Sequence, residues 1–158
     1  MSNFLRSLDI SGSGLTTQKY RLDLISQNIA NAETTRTESG GPYRRMVPVL
    51  KSVEEKVEFS DVLEAAKNGR TINTAYNHGG GRSAGVKVDS VVEDMTDFVP
   101  VYNPSHPDAD ENGYVMYPNV DITQEIIDAM DASRTYEANI TAFNAVKQML
   151  QQAMDMKI

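Results

Sequence analysis

The last stretch of the chain, residues 121–158, reads DITQEIIDAMDASRTYEANITAFNAVKQMLQQAMDMKI and decides the fold. It contains neither glycine nor proline, so it predicts one continuous helix, about 57 Å long at about 1.5 Å per residue. Asp121 follows Pro118 and is placed to cap the first turn. A helix of this length is too long to be buried in a globule of 158 residues. It therefore needs a partner along its length.

The side chains of this predicted helix separate into an apolar seam and a polar face. The seam has residues at seven-residue steps and others four residues further on: Ile122, Ile126, Ala129, Tyr136, Ile140, Phe143, Leu150 and Met154. This period is typical of an amphipathic helix that buries one stripe. Glu125, Asp128, Arg134 and Glu137 lie on the opposite face, which we expect to be solvated or to make polar contacts.

A second long amphipathic helix is predicted near the beginning of the sequence, within residues 1–32. Its apolar seam is formed by Leu8, Leu15, Leu22, Ile25 and Ile29. Gly12 and Gly14 interrupt it, and each costs about 1 kcal/mol in a helix interior. These glycines indicate either a loosened segment or a place where another backbone comes close. Because the two helices lie far apart in sequence, they can pair only after the middle of the chain has folded.

Residues 33–118 predict an extended connector followed by a small β module. We expect the connector at 33–41, a strand at 42–50, and a short strand and a helical turn within 53–68. An exposed, insertion-like mobile loop is expected at 69–85. It is followed by a strand at 85–97 paired with 98–102, and by a last strand at 114–117. Pro48 restricts its strand to an edge or a bulge. Residues 119–158 form the C-terminal helix unit. The expected fold class is α+β, with long terminal helices paired like a coiled coil and a small β-rich centre.

The composition argues against several classes of partner. The net charge is -7 and the basic residues are scattered, which does not favour a nucleic-acid surface. The absence of cysteine excludes disulfide and thiol chemistry. No stretch approaches the roughly 18 apolar residues of a membrane span, and the first residues lack the apolar core of a signal peptide. We therefore expect neither membrane insertion nor a cleaved signal peptide.

Two short motifs are similar to functional sites, but their surroundings do not support that function. Residues 81–85, GRSAG, fit the pattern of a nucleophile elbow, although a glycine-rich loop is predicted there instead of the required strand and helix. Asp108, Asp110 and Asn112 match the first half of a calcium loop, but Asn119 occupies the position of the bidentate Glu. An Asx-type turn is the better interpretation. We predict no catalytic, cofactor-binding or metal-binding residues.

Several segments together resemble a known family. They are SQNIANAETT at 26–35, GGPYRR at 40–45, HPDAD at 106–110, YPNV at 117–120 and ASRTYEAN at 132–139. This set is similar to the signature of bacterial flagellar axial proteins, the rod, hook and hook-associated subunits, and within that family to the proximal rod subunits of the basal body. The resemblance covers both ends of the chain and most of its centre.

The resemblance implies a structural rod subunit that is exported unfolded through the flagellar type III apparatus. It would assemble with copies of itself and with other rod proteins across the periplasm, into a shaft that transmits torque from motor to hook. The paired terminal helices would form the inner part of the tube, which encloses the export channel. Helix seams that cannot be covered within one chain would become ordered when neighbouring subunits cover them.

This interpretation assigns a role to two sets of residues. The residues expected to pack the helices and drive assembly are Leu8, Leu15, Leu22, Ile25, Ile29, Ile122, Ile126, Tyr136, Ile140, Phe143 and Leu150. The residues expected to make polar contacts between subunits are Asn28, Asn31, Arg134, Glu137 and Asn139. Without the resemblance, two other classes stay open, a soluble coiled-coil adaptor and a small enzyme.

Overall fold

Two long helices lie at the two ends of the described chain and pack against each other. The computed structural model describes residues 2–38, 40–56, 63, 67 and 81–155. Helix α1 spans Ser2–Ala30 and helix α2 spans Ile122–Asp155. They run antiparallel, because Arg21 of α1 contacts Asp128 whereas the earlier Gly14 lies beside the later Asn139. The predicted helices, their pairing and the α+β class are confirmed.

Local hydrogen bonds define where the helices start and stop. The Asp121 carboxylate accepts bonds from the backbone N–H groups of Thr123 at 2.8 Å and Gln124 at 3.3 Å, which confirms the predicted cap. At the other junction, Asn31 donates to the carbonyl of Gln27 from its backbone N–H at 3.1 Å and from its side-chain amide at 2.9 Å. These two bonds close the last turn of α1.

A long antiparallel ribbon of two strands packs along α1. Strand β1 spans Met46–Lys56 and strand β2 spans Gly81–Glu93. The register shifts between Val49 and Leu50 and again between Val53 and Glu54, and bulges of this kind bend and twist a ribbon. Since β1 has a neighbour on one side only within the described chain, the predicted edge position of Pro48 is confirmed.

A second, shorter sheet is formed by β3, Val99–Tyr102, and β4, Tyr114–Tyr117. The predicted pairing of 85–97 with 98–102 was therefore wrong. The Asp94 carboxylate accepts bonds from both the N–H and the hydroxyl of Thr96, and this turn directly after β2 leads the chain away from that strand. β3 instead pairs forward with β4, across the turn at Asn112-Gly113.

The connector also differs from its prediction, because it is not extended. The N–H of Tyr43 donates to the carbonyl of Thr34 at 3.0 Å, and the N–H of Thr37 donates to the carbonyl of Gly41 at 2.9 Å. Gly40 and Gly41 have φ values of 83° and 89°, a conformation that favours glycine. The segment consequently folds back on itself and returns the chain to the end of α1.

The predicted loop at 69–85 is corrected at its end, since residues 81–85 belong to strand β2. The rest of that loop lies outside the described residues, and so does the predicted helical turn around 61–66 apart from Leu63. The elbow-like GRSAG segment is thus part of a strand that continues to Glu93, without the sharp turn into a helix that an elbow requires. Among the described helices, neither is apolar enough along its length to cross a membrane.

Of the two alternatives for the α1 glycines, the close approach of another backbone is found between them, at Ser13, while Gly12 has nothing near its position and Gly14 meets a side chain. Ser13, between the glycines, accepts a hydrogen bond from the N–H of Val86 in β2 at 3.1 Å, and Gly85 packs directly against it. A Cβ on Gly14 would lie 3.0 Å from the side-chain amide of Asn139. The small residues of α1 therefore allow the ribbon to pack closely at Ser13 and helix α2 to pack closely at Gly14.

Replacing Gly85 with alanine tests how the ribbon is docked. Gly85 has a φ of 124°, and a Cβ there would collide with the Ser13 hydroxyl. Backbone strain of this kind costs about 1–3 kcal/mol. We expect Gly85→Ala to speed hydrogen exchange of the Val86 amide by about tenfold or more. Gly12→Ala is the matched control, because its Cβ would meet nothing within 4 Å and should stabilise α1 by up to about 1 kcal/mol. Unchanged protection at Val86 would contradict this docking.

Candidate functional site

A group of buried and half-buried polar residues lies where α1, the start of β1 and the first turns of α2 meet. We call the set Asn28, Arg45, Glu125 and Asp128 the polar junction. The Glu125 side chain is 0 % exposed, and Asn28 is 1 % exposed. Few proteins bury an acidic side chain completely unless it is paired, so the partners of Glu125 define this site.

Glu125 is paired through both of its carboxylate oxygens. Arg45 Nε donates to Oε1 at 2.6 Å, and Asn28 Nδ2 donates to Oε2 at 3.1 Å. Charge-assisted hydrogen bonds of this length are among the strongest in proteins. Helix α2 is thereby tied at one residue both to α1 and to the segment that enters β1.

Asp128 extends this link one turn further along α2. Its Oδ2 accepts a bond from Arg45 Nη2 at 3.3 Å, and its Oδ1 accepts one from Arg21 Nη2 at 3.1 Å. Arg45 Nη1 also lies 3.8 Å from the carboxylate of Asp94, just after β2. The guanidinium groups of Arg21 and Arg45 therefore link three carboxylates, those of Asp94, Glu125 and Asp128. These five residues come from four separate segments of the chain.

Asn28 acts as an extra hydrogen-bonding partner for the backbone of the first strand. Its Nδ2 donates to the carbonyl of Met46 at 3.0 Å, and its Oδ1 accepts from the N–H of Met46 at 2.9 Å and from the Tyr43 hydroxyl at 2.9 Å. Burial, together with the nearby charge of Glu125, raises the pKa of Tyr43. The side-chain amide of Asn28 thus makes its hydrogen bonds inside its own chain, and its predicted contact with a neighbouring subunit stays a prediction.

Asn119 holds the β module to the same junction. Its Oδ1 accepts from the backbone N–H of Arg45 at 3.0 Å, and its Nδ2 donates to the carbonyl of Asp94 at 3.0 Å. Arg44 lies on the other side, with its guanidinium 4.3 Å from the centre of the Phe98 ring. The start of β1, the end of β2 and the approach to α2 are fixed by these contacts.

The polar junction turns the apolar seam of α2 away from α1 at its first turns. Glu125 and Ala132 are the buried residues of α2, whereas Ile126 and Met130 are 49 % and 52 % exposed. Glu125 makes polar contacts, which was one of the two expectations for its face, and it makes them inside its own chain. Ile122 and Ile126 are exposed, so their packing in an assembly stays a prediction. Burial of a paired carboxylate on one face rotates the neighbouring aliphatic side chains outward.

The remaining predicted residues occupy a range of environments. Ile25 is buried; Leu8, Leu15, Leu22, Ile29, Tyr136, Phe143, Leu150, Asn31 and Asn139 are half-buried; and Ile122, Ile126, Ile140, Arg134 and Glu137 are exposed. Among the half-buried residues, Asn139 lies beside Gly14 at the contact between the two helices. The exposed set is available to another molecule, and its role between subunits stays a prediction.

The calcium-like segment forms the predicted Asx turn. Asp110 Oδ1 accepts bonds from the backbone N–H groups of Asn112 and Tyr114, both at 2.8 Å. Asp108 is used differently, since its carboxylate accepts a bond from the Thr35 hydroxyl at 2.9 Å and lies 3.7 Å from Arg36. Among the described residues, no group of three His, Asp or Glu side chains is placed to hold a metal ion.

Sequence reasoning missed the roles of Arg45, Asn119, Glu125 and Asp128. Two of them stand in quoted motifs, Arg45 in GGPYRR and Asn119 in YPNV, so the motifs marked the right segments. The signal that was available for Glu125 is its seven-residue spacing from the small residue Ala132. That spacing places both on one face, but it does not show which face is buried.

The fold and the junction define a class of structural protein in which two terminal helices are locked to a small β module. Comparison with known proteins gives the family. Residues 111–156 match the model described as flagellar basal body rod FlgEFG protein C-terminal, and residues 8–36 match the model described as flagella basal body rod protein. The resemblance inferred from the motifs is confirmed.

Full-length relatives support the same assignment. The flagellar basal-body rod protein FlgC of Bacillus subtilis (strain 168) is 42 % identical over 153 residues, which cover 94 % of this chain and 95 % of that protein. The FlgC proteins of Salmonella typhimurium and Aquifex aeolicus are 38 % and 30 % identical, with coverage of 92 % and 98 % of both chains respectively. The chain belongs to the flagellar basal-body rod protein FlgC family.

Removing Arg45 tests the polar junction. Arg45→Ala leaves the buried Glu125 carboxylate without its cationic partner, which costs about 3–5 kcal/mol. We expect the double variant Arg45→Ala/Glu125→Ala to lose clearly less than the sum of the two single changes. Denaturant unfolding measures all three variants, with Arg134→Ala as an exposed control that should stay within about 0.5 kcal/mol of the parent. Additive losses would contradict the coupling.

The Asp94 turn predicts an acid dependence of stability. Hydrogen bonds from Thr96, and more weakly the charges of Arg45 and Arg44, lower the pKa of Asp94 against a smaller opposing effect of burial. A carboxyl with a lowered pKa contributes stability above its unfolded pKa of about 4, and this contribution is lost as the pH falls through the folded value. We expect Asp94→Asn to be less stable than the parent at pH 5–7, with the difference shrinking as the pH falls below the unfolded pKa of the carboxyl. A difference that is the same at every pH would contradict this account.

Proposed function

We propose that this chain is a structural subunit of the flagellar basal-body rod that assembles helically through its terminal helices. The rod so formed is the drive shaft that transmits torque from the motor to the hook, and it encloses the channel for exported proteins. The observation that supports assembly most directly is the exposed apolar row on α2, which includes Ile122, Ile126 and Met130. Each of these side chains is about half exposed in the described chain.

Covering this row supplies free energy for polymerisation. Full burial of an aliphatic side chain contributes about 1.5–3 kcal/mol. A side chain that is half-exposed in the free chain gains about half of that free energy when a neighbouring subunit covers it. A further exposed residue, Ile140, lies on the same helix more than three turns later. The contact repeats at every subunit, so a modest gain per residue accumulates along a rod.

The polar junction supports the mechanical part of the proposal. A shaft transmits torque only if its inner helices and outer β module turn together. Arg45 is hydrogen-bonded to α2 through Glu125 and to the segment before α2 through Asn119, so the module cannot rotate about the helices without breaking buried, charge-assisted bonds. Losing one partner of such a pair costs about 3–5 kcal/mol.

The proposed partners and location follow from the family. The relatives are named flagellar basal-body rod proteins, and we infer that this chain likewise assembles with copies of itself and with other rod proteins in the basal body, across the periplasm. We further propose that it reaches that site unfolded, through the flagellar type III apparatus and without a cleaved signal peptide. We propose no enzymatic activity and no cofactor.

An aspartate on the exposed face of α2 tests assembly. Ile140→Asp and Ile126→Asp place a charge where a neighbour must bury an aliphatic side chain, so we expect strains carrying either variant to build no rod and to be non-motile. Circular dichroism of the purified variants should match the parent, because both positions are exposed in the free chain. Gln148→Asp, on an exposed polar position of the same helix, is the control. Motile flagella in an Ile140→Asp strain would sink the proposal, and a stable compact dimer of the pure parent would favour an adaptor.

A further inference from the structure

The β3–β4 sheet has an apolar face that the described chain covers only in part, where Tyr114 and Met116 line a cavity together with Pro42. Opposite residues of an antiparallel pair point to the same side, so Pro100, Met116, Tyr102 and Tyr114 share one face. All four are exposed, with Tyr102 at 65 %, and the two tyrosine rings meet edge to face with centres 5.4 Å apart. We call these four residues the sheet face. It has no polar side chain for water to solvate except the tyrosine hydroxyls.

The exposed row on α2 is a ridge that ends in a cation. Ile122, Ile126, Met130 and Arg134 follow one another at four-residue steps, the spacing of the ridges that pack into grooves on other elements. We call these four residues the helix ridge. Arg134 is exposed and makes no ion pair among the residues that the structure describes. The ridge therefore presents three aliphatic side chains followed by one guanidinium.

The sheet face ends in the opposite charge. The turn that joins β3 to β4 carries Asp110 and the exposed Glu111 at the end nearest Tyr114. The ridge covers about 12 Å from Ile126 to Arg134 at about 1.5 Å per residue. The six residues from Met116 to Glu111 span at most about 17 Å. A ridge laid along the sheet face can thus place Ile126 and Met130 on that face and bring Arg134 to Glu111 at the same time.

We propose that the helix ridge of one subunit packs on the sheet face of a second copy of this chain, with Arg134 paired to Glu111 across the contact. This inference rests on the proposed function and names the contact surfaces for it. Both surfaces are exposed within one chain, so neither covers the other there. Because the two surfaces differ, the contact is heterologous, and repeating it gives an open helical array rather than a closed dimer. A chain of net charge -7 also gains by placing an exposed cation against an acidic turn.

Charge exchange tests the polar end of the contact. We expect Arg134→Glu and Glu111→Lys each to lower the number of flagellated cells by about tenfold or more, since like charges then face each other. The double variant Arg134→Glu/Glu111→Lys should restore most of that loss. Lys147→Glu and Gln148→Lys, which change the charge at exposed positions of α2 outside the ridge, are the controls and should leave motility near the parent level. Single variants that behave like these controls would overturn the proposal, and so would a double variant that is no better than the singles.

Disulfide trapping tests the apolar part independently. The chain contains no cysteine, so Ile126→Cys/Met116→Cys introduces one thiol on each surface. A disulfide requires Cα atoms about 4.4–6.8 Å apart. Oxidised basal bodies should then give a ladder of this chain's multimers on a non-reducing gel, whereas Ile126→Cys/Val92→Cys, with the second thiol at an exposed position of β2, should give none. No ladder from motile cells, or a product only with a protein of different mass, would overturn the assignment to a second copy.

The two sets of variants separate this inference from the function on which it rests. If the charge variants and the trapping fail while Ile140→Asp still abolishes flagella, the chain is a rod subunit that uses other surfaces. If Ile140→Asp also has no effect, the proposed function itself is wrong.

Discussion

The Glu125 carboxylate lies out of reach of water, where an ionised group is tolerated only if it is paired and hydrogen-bonded. Its partners come from α1 and from the start of β1, two segments that must be in place before α2 can seat its first turns. An unpaired intermediate would carry the desolvation cost without the compensating bonds. Helix pairing and attachment of the β module are therefore coupled, and the chain gains little from forming either alone.

This constraint also determines what the outside of the molecule looks like. Because the face of α2 that meets α1 is occupied by Glu125, Asp128 and Ala132, the aliphatic residues at its start point outward. An ordinary monomer would do the reverse, with the aliphatic seam inside and the acidic residues in water. The inverted arrangement leaves the strongest apolar row free for intermolecular contact. The contact between α1 and the start of α2 inside the chain is instead made by hydrogen bonds and ion pairs, whose strength depends on their geometry.

Sequence patterns predicted what local forces determine. The Asp121 cap, the lengths of both helices and the approach of a backbone between the two glycines of α1 follow from capping, periodicity and small side chains, and the structure shows them. The patterns failed where two distant segments had to be matched. Nothing local distinguishes a solvated Glu125 from one that meets Arg45, eighty residues earlier in the sequence, with Nε 2.6 Å from its carboxylate. The wrong strand pairing has the same origin, since β2 finds its partner in β1 across a long intervening segment rather than in the next strand.

A polar junction has an advantage over an apolar one in a subunit that must be identical at every position of an assembly. Aliphatic side chains on paired helices can slide by a turn and still be buried, because dispersion and the hydrophobic effect have little directional preference. A slide of α2 by one turn would move Glu125 away from both Arg45 and Asn28 and leave a buried charge unpaired. Buried polar residues are known to fix register in helix pairs at some expense of stability. Here the same bonds fix the register of α2 on α1 and the orientation of the β module. A register error would consequently be costly within the subunit before it could propagate to the next one.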